Sequence, residues 1–332
     1  MIKRILYTLL IMFPVVASAQ INTDRVMAIG RNALYFEDYV LSIQYFNQVI
    51  NAKPYLSDPY FYRGLAKINL DDFQGAESDC SEAIERNPFV VSAYQVRGLA
   101  RIQQNNFAGA IEDYTKALEF DPENIGVWHN MALCRIRQED YKGAKNDLDK
   151  LIAISPRYTK AYLMRGEVGL KQKDTLAAEK DFGKAIEIDR YDADTWASRA
   201  ILRLQQQRYK DAEADFDHAI RLSTRNSGVY INRALARYHQ NNLRGAMSDY
   251  DIALDIDPNN FIGHYNRGLL RAQVGDDNRA IQDFNFVIEM EPDNMMAIFN
   301  RGLLLDQTGD YKGAIKDYST VINEYPNFLL GY

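Results

Sequence analysis

The pattern of small, apolar and polar positions repeats every 34 residues, from just after the N-terminus to the end of the chain. Within each period, apolar residues recur at three- and four-residue steps in two blocks, which is the spacing of two amphipathic helices. The first block is built around a small residue, which is Gly or Ala in all nine copies. These positions are Gly30, Gly64, Gly98, Ala132, Gly166, Ala200, Ala234, Gly268 and Gly302.

The boundaries of the two predicted helices are clearest in the eighth copy of the repeat. Gly275 is expected to end the first helix in the left-handed conformation, and Asp276 to cap a second helix over 277–290. Pro292 then ends that helix, because a proline disfavours helical geometry in the residue before it. The cap position is Asp or Asn in eight of the nine copies, with Arg208 as the exception. Each copy is therefore predicted to be a helix hairpin.

A fixed period of this length predicts an all-α fold, an α-solenoid of nine tandem helix hairpins of 34 residues each. Helices of about 13 residues are marginal alone in water, so their stability must come from stacking on neighbouring hairpins. Residues 329–332 are expected to start a truncated tenth unit. The nine predicted units are 23–56, 57–90, 91–124, 125–158, 159–192, 193–226, 227–260, 261–294 and 295–328.

The repeat resembles the tetratricopeptide repeat. That family has an aromatic residue four positions before the small residue, an alanine twelve after it, a second aromatic four later, and a closing proline. Trp128 and Trp196 occupy the first aromatic position, and Phe182 and Phe284 the second. The resemblance covers 23–328. It implies a right-handed superhelix that binds a protein or peptide ligand on its concave surface.

Residues 1–19 have the pattern of a cleaved signal peptide. Two basic residues precede an apolar run from Ile5 to Val16, which is too short to span a bilayer comfortably. Ala17-Ser18-Ala19 then fits a small-x-small cleavage site, and the Ala-Gln junction resembles export signals of Gram-negative bacteria. We therefore expect an exported protein that starts at Gln20, in the periplasm or secreted, with no transmembrane segment after cleavage.

The net charge narrows the classes of partner. The formal net charge of −6 becomes −8 when the two basic residues of the signal segment, which has no acid, are removed. No basic block is present, which argues against nucleic acid as a partner.

Cys80 and Cys134 lie at unrelated repeat positions and more than one repeat apart, so we expect two buried free thiols.

Seven units carry an arginine directly before the small residue and an aspartate sixteen residues later. We expect an ion pair between the helices of each hairpin or between adjacent hairpins. The alternative is an arginine-lined groove for an acidic ligand, extended by Arg101, Arg135, Arg203, Arg237 and Arg271. The matched acids favour the ion pair. The seven couples are Arg63/Asp79, Arg97/Asp113, Arg165/Asp181, Arg199/Asp215, Arg233/Asp249, Arg267/Asp283 and Arg301/Asp317.

The resemblance also implies a binding surface, because the first helix of each unit lines the concave face in this family. Asn232, Asn266 and Asn300 lie two positions before the small residue in consecutive units. Amides both donate and accept, so such a row can hold the backbone of an extended peptide. The row resembles the asparagine ladder in the repeats of O-GlcNAc transferase. The predicted groove also contains Ile231, Leu235, Ile262, Tyr265, Leu269, Met296, Phe299 and Leu303.

Two other interpretations of these residues stay open. Asparagine is common at this position in the family, and the leucines also fit a packing role. The first helices of the N-terminal units offer a different set of side chains, including Asp24, Arg31 and Asp58, which suits a separate partner.

No catalytic arrangement is evident, because the four histidines fall at four different repeat positions and no two share a helix face at metal-ligand spacing. We therefore predict a protein that is not an enzyme and that uses no cofactor or metal. The working hypothesis is an exported scaffold that binds a protein or extended peptide for envelope complex assembly. The alternatives are an array that associates with itself through an uncapped C-terminal end, or the regulatory N-terminal part of a longer enzyme.

Overall fold

The computed structural model describes residues 22–324, which form eighteen α-helices and contain no strand. The predicted signal peptide and the predicted start of a tenth unit lie outside the described residues. The helices follow one another as nine consecutive pairs, as the 34-residue period predicts. The all-α architecture is therefore confirmed.

The first helices of the pairs are α1 (Thr23–Tyr35), α3 (Asp58–Ile68), α5 (Val91–Gln103), α7 (Ile125–Arg137), α9 (Thr159–Lys171), α11 (Ala193–Gln205), α13 (Ser227–His239), α15 (Phe261–Gln273) and α17 (Met295–Gln307). The second helices are α2 (Tyr39–Ala52), α4 (Phe73–Arg86), α6 (Phe107–Phe120), α8 (Tyr141–Ile154), α10 (Thr175–Ile188), α12 (Tyr209–Leu222), α14 (Leu243–Ile256), α16 (Asp277–Met290) and α18 (Tyr311–Glu324). The predicted bounds of α16 agree with the observed ones.

The chain divides into two compact units, Met1–Asp140 and Tyr141–Tyr332. Within each unit, every helix packs on the next helix in the chain, and several first helices also touch the first helix of the following hairpin. Examples are α3 on α5 in the first unit and α11 on α13 in the second. Stability therefore comes from contacts between close neighbours along the chain, as expected for tandem hairpins.

In the hairpins where the small residue is glycine, it lies where the two helices cross. A Cβ atom added to Gly30 would lie 2.7 Å from Cε1 of Phe46, and one added to Gly166 would lie 2.5 Å from Cε1 of Phe182. Both rings are fully buried. The second aromatic of the repeat is therefore packed directly on the backbone of the first helix, which explains why the position is restricted to small residues.

Most second helices begin with the predicted cap. The side chains of Asp38, Asp72, Asn106, Asp174 and Asn242 accept a hydrogen bond from the backbone N–H three residues later, at 2.9–3.1 Å. This satisfies one of the free N–H groups at the start of each helix. Asp276 and Arg208 precede their helices without such a side-chain bond.

The residue before each cap adopts the left-handed conformation in every hairpin, although only two of these residues are glycines. Gly275 has φ of 79°, as predicted, and Gly309 has φ of 86°. Seven non-glycine residues have φ of 59–64°, a region that costs L-residues about 1–2 kcal/mol. They are Glu37, Asp71, Asn105, Glu139, Lys173, Gln207 and Asn241.

The two cysteines are free and buried, as predicted. Cys80 takes the place of the second aromatic in its hairpin, and its Sγ would lie 2.9 Å from a Cβ on Gly64. Burial raises the pKa of Cys80 to about 12 and that of Cys134 to about 11. Both are therefore protonated thiols at neutral pH, with little nucleophilic character.

Candidate functional site

The predicted groove residues lie on three consecutive first helices, α13, α15 and α17, all within the second compact unit. Four of the apolar residues are well exposed: Ile262 to 50 %, Met296 to 43 %, and Leu269 and Leu303 to 39 % each. Leucine and isoleucine side chains with this exposure provide apolar surface for a partner. Ile231 does not, because it is only 7 % exposed and belongs to the hydrophobic core.

The three asparagines of the row differ in their hydrogen bonding. Asn232 and Asn266 are half-buried, and neither side chain has a hydrogen-bond partner within residues 22–324. Asn300 donates to the hydroxyl of Tyr265 at 3.1 Å and to the carbonyl oxygen of Met296 at 2.8 Å. Two amides are therefore open toward solvent, whereas the third positions a tyrosine ring.

Tyr265 is held on two sides. Its ring meets Phe284 edge-on at a centroid distance of 5.8 Å, and its hydroxyl accepts the bond from Asn300. Burial raises the pKa of Tyr265, although the hydrogen bond from Asn300 opposes the shift. The phenol therefore stays neutral under ordinary conditions and presents an apolar face with one fixed polar tip.

A cleft of about 250 Å³ opens at the N-terminal ends of α15 and α17. It is lined by Ile262, Tyr265 and Met296 from the predicted groove, and also by Phe261 and Asn294. Sequence reasoning missed the last two residues. The available signal was a large apolar residue at the first position of α15, where most other first helices carry a smaller or polar residue.

Asn294 combines two roles at the rim of this cleft. Its Oδ1 accepts from the backbone N–H of Ala297 at 3.0 Å and caps α17, while its Nδ2 donates to Glu291 at 2.9 Å. Asn294 therefore ties the start of α17 to the preceding turn. The rest of the predicted groove, including Asn232, Leu235, Leu269 and Leu303, lies outside the cleft on the same three helices. Phe299 is half-buried, with its ring 6.1 Å from that of Tyr318.

The arginines of the repeat are paired with acids and do not form an open basic groove. In all seven couples the guanidinium group contacts its aspartate at 2.5–2.8 Å within one hairpin, which confirms the predicted ion pair. Arg101, Arg203, Arg237 and Arg271 add a second arginine to the same aspartates at 2.8–3.0 Å. The aspartates themselves are nearly fully buried.

Six of the seven arginines also reach the preceding hairpin, which the sequence did not reveal. Arg233, for example, donates to Asp217 on α12 at 2.7 Å while pairing with Asp249 on α14. The acceptors on the preceding hairpins are Asn47, Ser81, Asp149, Asp217, Asp251 and Asn285. These arginines therefore join three helices.

The N-terminal hairpins form a separate cleft of about 630 Å³ in the first compact unit. Its lining includes Asp24, Arg31 and Asp58, for which the sequence suggested a separate partner, together with Tyr55 and Arg86. This cleft carries both charge signs, in contrast to the apolar cleft of the C-terminal hairpins.

Metal binding and membrane insertion are the other two properties that the described residues bear on. Within residues 22–324, no group of three or more His, Cys, Asp or Glu side chains is placed to hold a metal ion. In the same part of the chain, every helix is too short or too polar to cross a membrane.

Comparison with known proteins gave consistent matches. The family model described as tetratricopeptide repeat matches 130–193, 198–261 and 265–327, and a second, described as TPR repeat, matches 98–134. No curated protein sequence matches the chain.

Several solved structures share the fold. A tetratricopeptide repeat protein from Parabacteroides merdae is 21 % identical with a TM-score of 0.58, over 75 % of this chain and 98 % of that one. The C-terminal part of a TPR repeat-containing protein from Cytophaga hutchinsonii is 17 % identical with a TM-score of 0.57, over 70 % and 96 %. PilF from Pseudomonas aeruginosa is 18 % identical with a TM-score of 0.57, over 62 % and 94 %.

Proposed function

Because the chain belongs to the tetratricopeptide repeat family, we propose that it is a non-catalytic scaffold that binds an extended segment of another protein. The repeat is typical of protein-interaction scaffolds. The proposed binding surface comprises the solvent-facing residues of α13, α15 and α17, which we call the C-terminal groove.

The open amides of Asn232 and Asn266 are the observation that carries this proposal. They occupy equivalent positions on successive first helices, and neither is used within the described part of the chain. Each amide offers a carbonyl acceptor and an N–H donor, which matches the two polar groups of a peptide unit. An extended polypeptide can therefore hydrogen-bond to both through its backbone, independently of its own side chains.

The neighbouring surface favours apolar side chains in the ligand. Leu269 and Leu303 lie beside the amide row, and the cleft of about 250 Å³ beside Ile262 and Met296 is large enough for one apolar side chain. The proposed ligand is therefore an extended segment with an apolar anchor residue, rather than a strongly acidic or basic one.

A peptide library provides the direct test. Random peptides displayed on phage are selected on the immobilised chain, and the affinity of each selected peptide is measured for three proteins. The double variant Asn232→Ala/Asn266→Ala loses two hydrogen bonds of about 1 kcal/mol each, so we expect about a 30-fold weaker Kd. Asn146→Ala/Asn278→Ala, which removes two exposed amides on second helices, is the matched control and should bind as tightly as the wild type.

Peptides whose affinity is equal in all three proteins would contradict the role of the amide row. Peptides that respond to Met296→Ala and not to the asparagine double variant would restrict binding to the cleft. Circular dichroism of each variant checks that the fold is retained.

The proposed setting of this scaffold is the cell envelope of a Gram-negative bacterium, where it takes part in complex assembly. The support is the sequence pattern of residues 1–19. The full chain produced in a Gram-negative host should be recovered from the periplasmic fraction with Gln20 as its N-terminal residue. Ala17→Arg, which removes the small residue three positions before the cleavage site, should leave the segment attached. Recovery of the unprocessed wild-type chain from the cytoplasm would contradict export.

A further inference from the structure

The turns that join one hairpin to the next share a common construction. In six of the eight turns among the described helices, the second residue is proline, and the backbone N–H of the fourth residue donates to the carbonyl oxygen of the first at 3.0–3.3 Å. Proline suits this position because its ring fixes φ near about −65°. These six turns begin at Lys53, Asn87, Asp121, Ser155, Asp257 and Glu291.

The turn 223–226, which joins α12 to α13, has neither feature. Thr224 stands in place of the proline, and the backbone N–H groups of Thr224, Arg225 and Asn226 make no hydrogen bond to any part of the described chain. The backbone is extended at both ends of the turn, with φ of −146° at Ser223 and −107° at Asn226. The turn therefore presents a short stretch of extended backbone with unbonded N–H groups.

A side-chain bond that holds several of the other turns is missing as well. The first aromatic residue of the next helix donates to the carbonyl oxygen of the second turn residue, as Trp128 does to Pro122 at 2.8 Å and Tyr162 to Pro156 at 3.1 Å. Tyr230 holds this position in α13, but within the described residues it makes no such bond to Thr224. The middle of the turn is therefore not tied to α13.

The turn 223–226 is also more exposed than the others. Residues 221–226 are all exposed, whereas the fourth residue of each of the other seven turns is half-buried. The guanidinium group of Arg225 forms no ion pair or hydrogen bond with the part of the chain that the structure describes. Both the arginine side chain and the peptide bond after it are therefore open to solvent.

The other turn without a proline, 189–192, shows that its loss alone does not open a turn. The indole N–H of Trp196 donates to the carbonyl oxygen of Arg190 at 2.9 Å. The side chain of Asp189 accepts from the backbone N–H of Tyr191 at 2.9 Å. Side chains thus hold this turn in place of the proline, and the turn 223–226 has no equivalent of either bond.

We infer that the peptide bond between Arg225 and Asn226 is a site of limited proteolysis in the folded chain, for an endopeptidase that selects arginine. Such an enzyme binds an extended strand of its substrate and places the selected side chain in a pocket. Exposed loop tips with small and polar residues are the preferred sites of such cuts. Water adds across the bond, which releases the carboxylate of Arg225 and the amino group of Asn226.

The cut separates the chain between α12 and α13 but leaves the contacts between these helices. Arg233 on α13 donates to Asp217 on α12 at 2.7 Å, and Glu213 on α12 accepts from Arg237 on α13 at 2.7 Å. The two pieces should therefore stay associated. The piece that begins at Asn226 contains all three first helices of the C-terminal groove.

The cut also changes the charge at the start of α13. Asn226 caps this helix, and its new amino group places a positive charge at the positive end of the helix dipole. The cut protein should therefore unfold at a lower urea concentration than the intact chain.

Brief digestion of the full chain with trypsin under native conditions tests the proposal. Arg157 is the internal control, because it lies at the same repeat position as Arg225, is exposed and has no ion pair among the described residues. Its turn has both the proline and the backbone bond. The first new N-terminus within residues 22–324 should be Asn226. A first cut after Arg157, Arg190 or any other residue of this range would overturn the proposal.

Thr224→Pro restores the proline of the other turns and tests the cause. Ser223 already has the extended conformation that a residue before proline requires, and the N–H that proline lacks makes no bond here. We expect cleavage after Arg225 to become about tenfold slower, because the proline and a turn bond both lower the population of the open turn. Cleavage at the wild-type rate would contradict the role of the turn.

Short peptides separate the effect of the turn from the preference of the protease. Peptides of residues 219–230, with and without Thr224→Pro, have no fold to open and should be cut at equal rates. The same tenfold difference in the peptides would assign the effect to the protease and overturn the structural explanation.

Arg225→Gln is the variant that removes the cleavage site. It changes an exposed, unpaired side chain, so it should keep the urea midpoint of the intact wild type and lose the first cut. Gel filtration of the cut wild type should give one peak that contains both pieces, and two separate peaks would refute the retained junction. The inference concerns the turn alone and can fail or hold independently of ligand binding in the C-terminal groove.

Discussion

At the residue scale, the second aromatic position shows the cost of burying a hydroxyl group in an otherwise apolar contact. Tyr114 is 1 % exposed, and its hydroxyl forms no hydrogen bond shorter than 3.5 Å within the described residues, although the Asn130 side chain is close enough to interact with it. Four other hairpins carry phenylalanine at the equivalent position, with no polar atom to bury. These residues are Phe46, Phe182, Phe216 and Phe284.

We expect Tyr114→Phe to raise the free energy of unfolding by about 1 kcal/mol, because it removes a buried hydroxyl for which no short hydrogen bond compensates. Urea unfolding followed by circular dichroism measures the change. Tyr250→Phe is the comparison, since the hydroxyl of Tyr250 is not both buried and unpaired, and it should show a smaller gain. A loss of stability in Tyr114→Phe would mean that the hydroxyl is satisfied.

Gly183 lies at the one position where a paired arginine makes no hydrogen bond to the preceding hairpin. Arg165, Arg233 and Arg267 each donate to an aspartate there, whereas the equivalent position before Arg199 is Gly183. A Cβ added at this glycine meets no atom within 4 Å, so a side chain fits.

Gly183→Asp should therefore stabilise the protein by about 0.5–1.5 kcal/mol, through better helix propensity and a new bond from Arg199. Gly183→Ala should add up to about 1 kcal/mol through propensity alone. The gain of the aspartate variant should shrink in 1 M NaCl, and that of the alanine variant should not. Equal salt responses would show that the new carboxylate does not reach Arg199.

At the scale of the helix pair, the aspartates differ in how many side chains donate hydrogen bonds to them. Asp283 contacts Arg267, Arg271 and His264, whereas Asp181 contacts Arg165 alone among the described residues. Both carboxylates are buried, and burial, with a smaller contribution from Glu77, raises the pKa of the equivalent Asp113 against the opposing effect of its arginines. A buried carboxylate therefore depends on its cations to stay ionised.

Arg165→Ala should cost about 3–5 kcal/mol, because it leaves Asp181 buried without a counter-charge. Arg267→Ala should cost less, since Arg271 and His264 still hold Asp283. The two variants are matched, because each also loses one bond to the preceding hairpin, Asp149 or Asp251. Equal costs, measured by urea unfolding at neutral pH, would show that the second cations contribute nothing.

The helix pairs also show what a sequence can and cannot specify. The small residue, the cap and the closing proline fix the bounds of a helix such as α16, because each acts on the backbone within a few residues. The left-handed residue was predicted only at Gly275, because Lys173 or Gln207 carry no local signal for that conformation. The turn between the two helices requires it there: the backbone N–H of Asp174 donates to the carbonyl oxygen of Gly169 at 2.8 Å, and that of Arg208 to Arg203 at 2.9 Å. Its cost does not show in residue propensity.

At the scale of the whole molecule, periodicity assigned the groove residues to three first helices but could not place the cleft among them. That cleft depends on Phe261, which differs from the repeat pattern in its size, and on Asn294, which repeats the helix caps Asn226 and Asn260 and so carries no separate signal. Ile231 satisfied the pattern and is buried, because its side chain packs beside Gly263 of the next hairpin, where an added Cβ would lie 3.4 Å from Cδ1 of Ile231. Position in the repeat therefore predicts the helix and its outer side, while exposure depends on the next unit.

Because each helix contacts only close neighbours along the chain, a destabilising substitution should affect mainly the adjacent hairpins. Phe284 is fully buried in the hairpin of α15 and α16, and truncating it to alanine should cost about 3–5 kcal/mol through the cavity it leaves. The hairpin of α17 and α18 packs only on α15 and α16 among the described helices, so it loses its support as well.

In Phe284→Ala, amide hydrogen exchange should therefore become faster throughout α15–α18 and stay unchanged in α9–α12, which keep their own neighbours. Phe182→Ala is the matched comparison, because it makes the equivalent cavity between α9 and α10. It leaves the contacts among α15–α18 unchanged. Faster exchange over the whole second compact unit in both variants would mean that residues 141–324 unfold as one cooperative block. Local exchange would mean that binding in the C-terminal groove stabilises only the hairpins that form it.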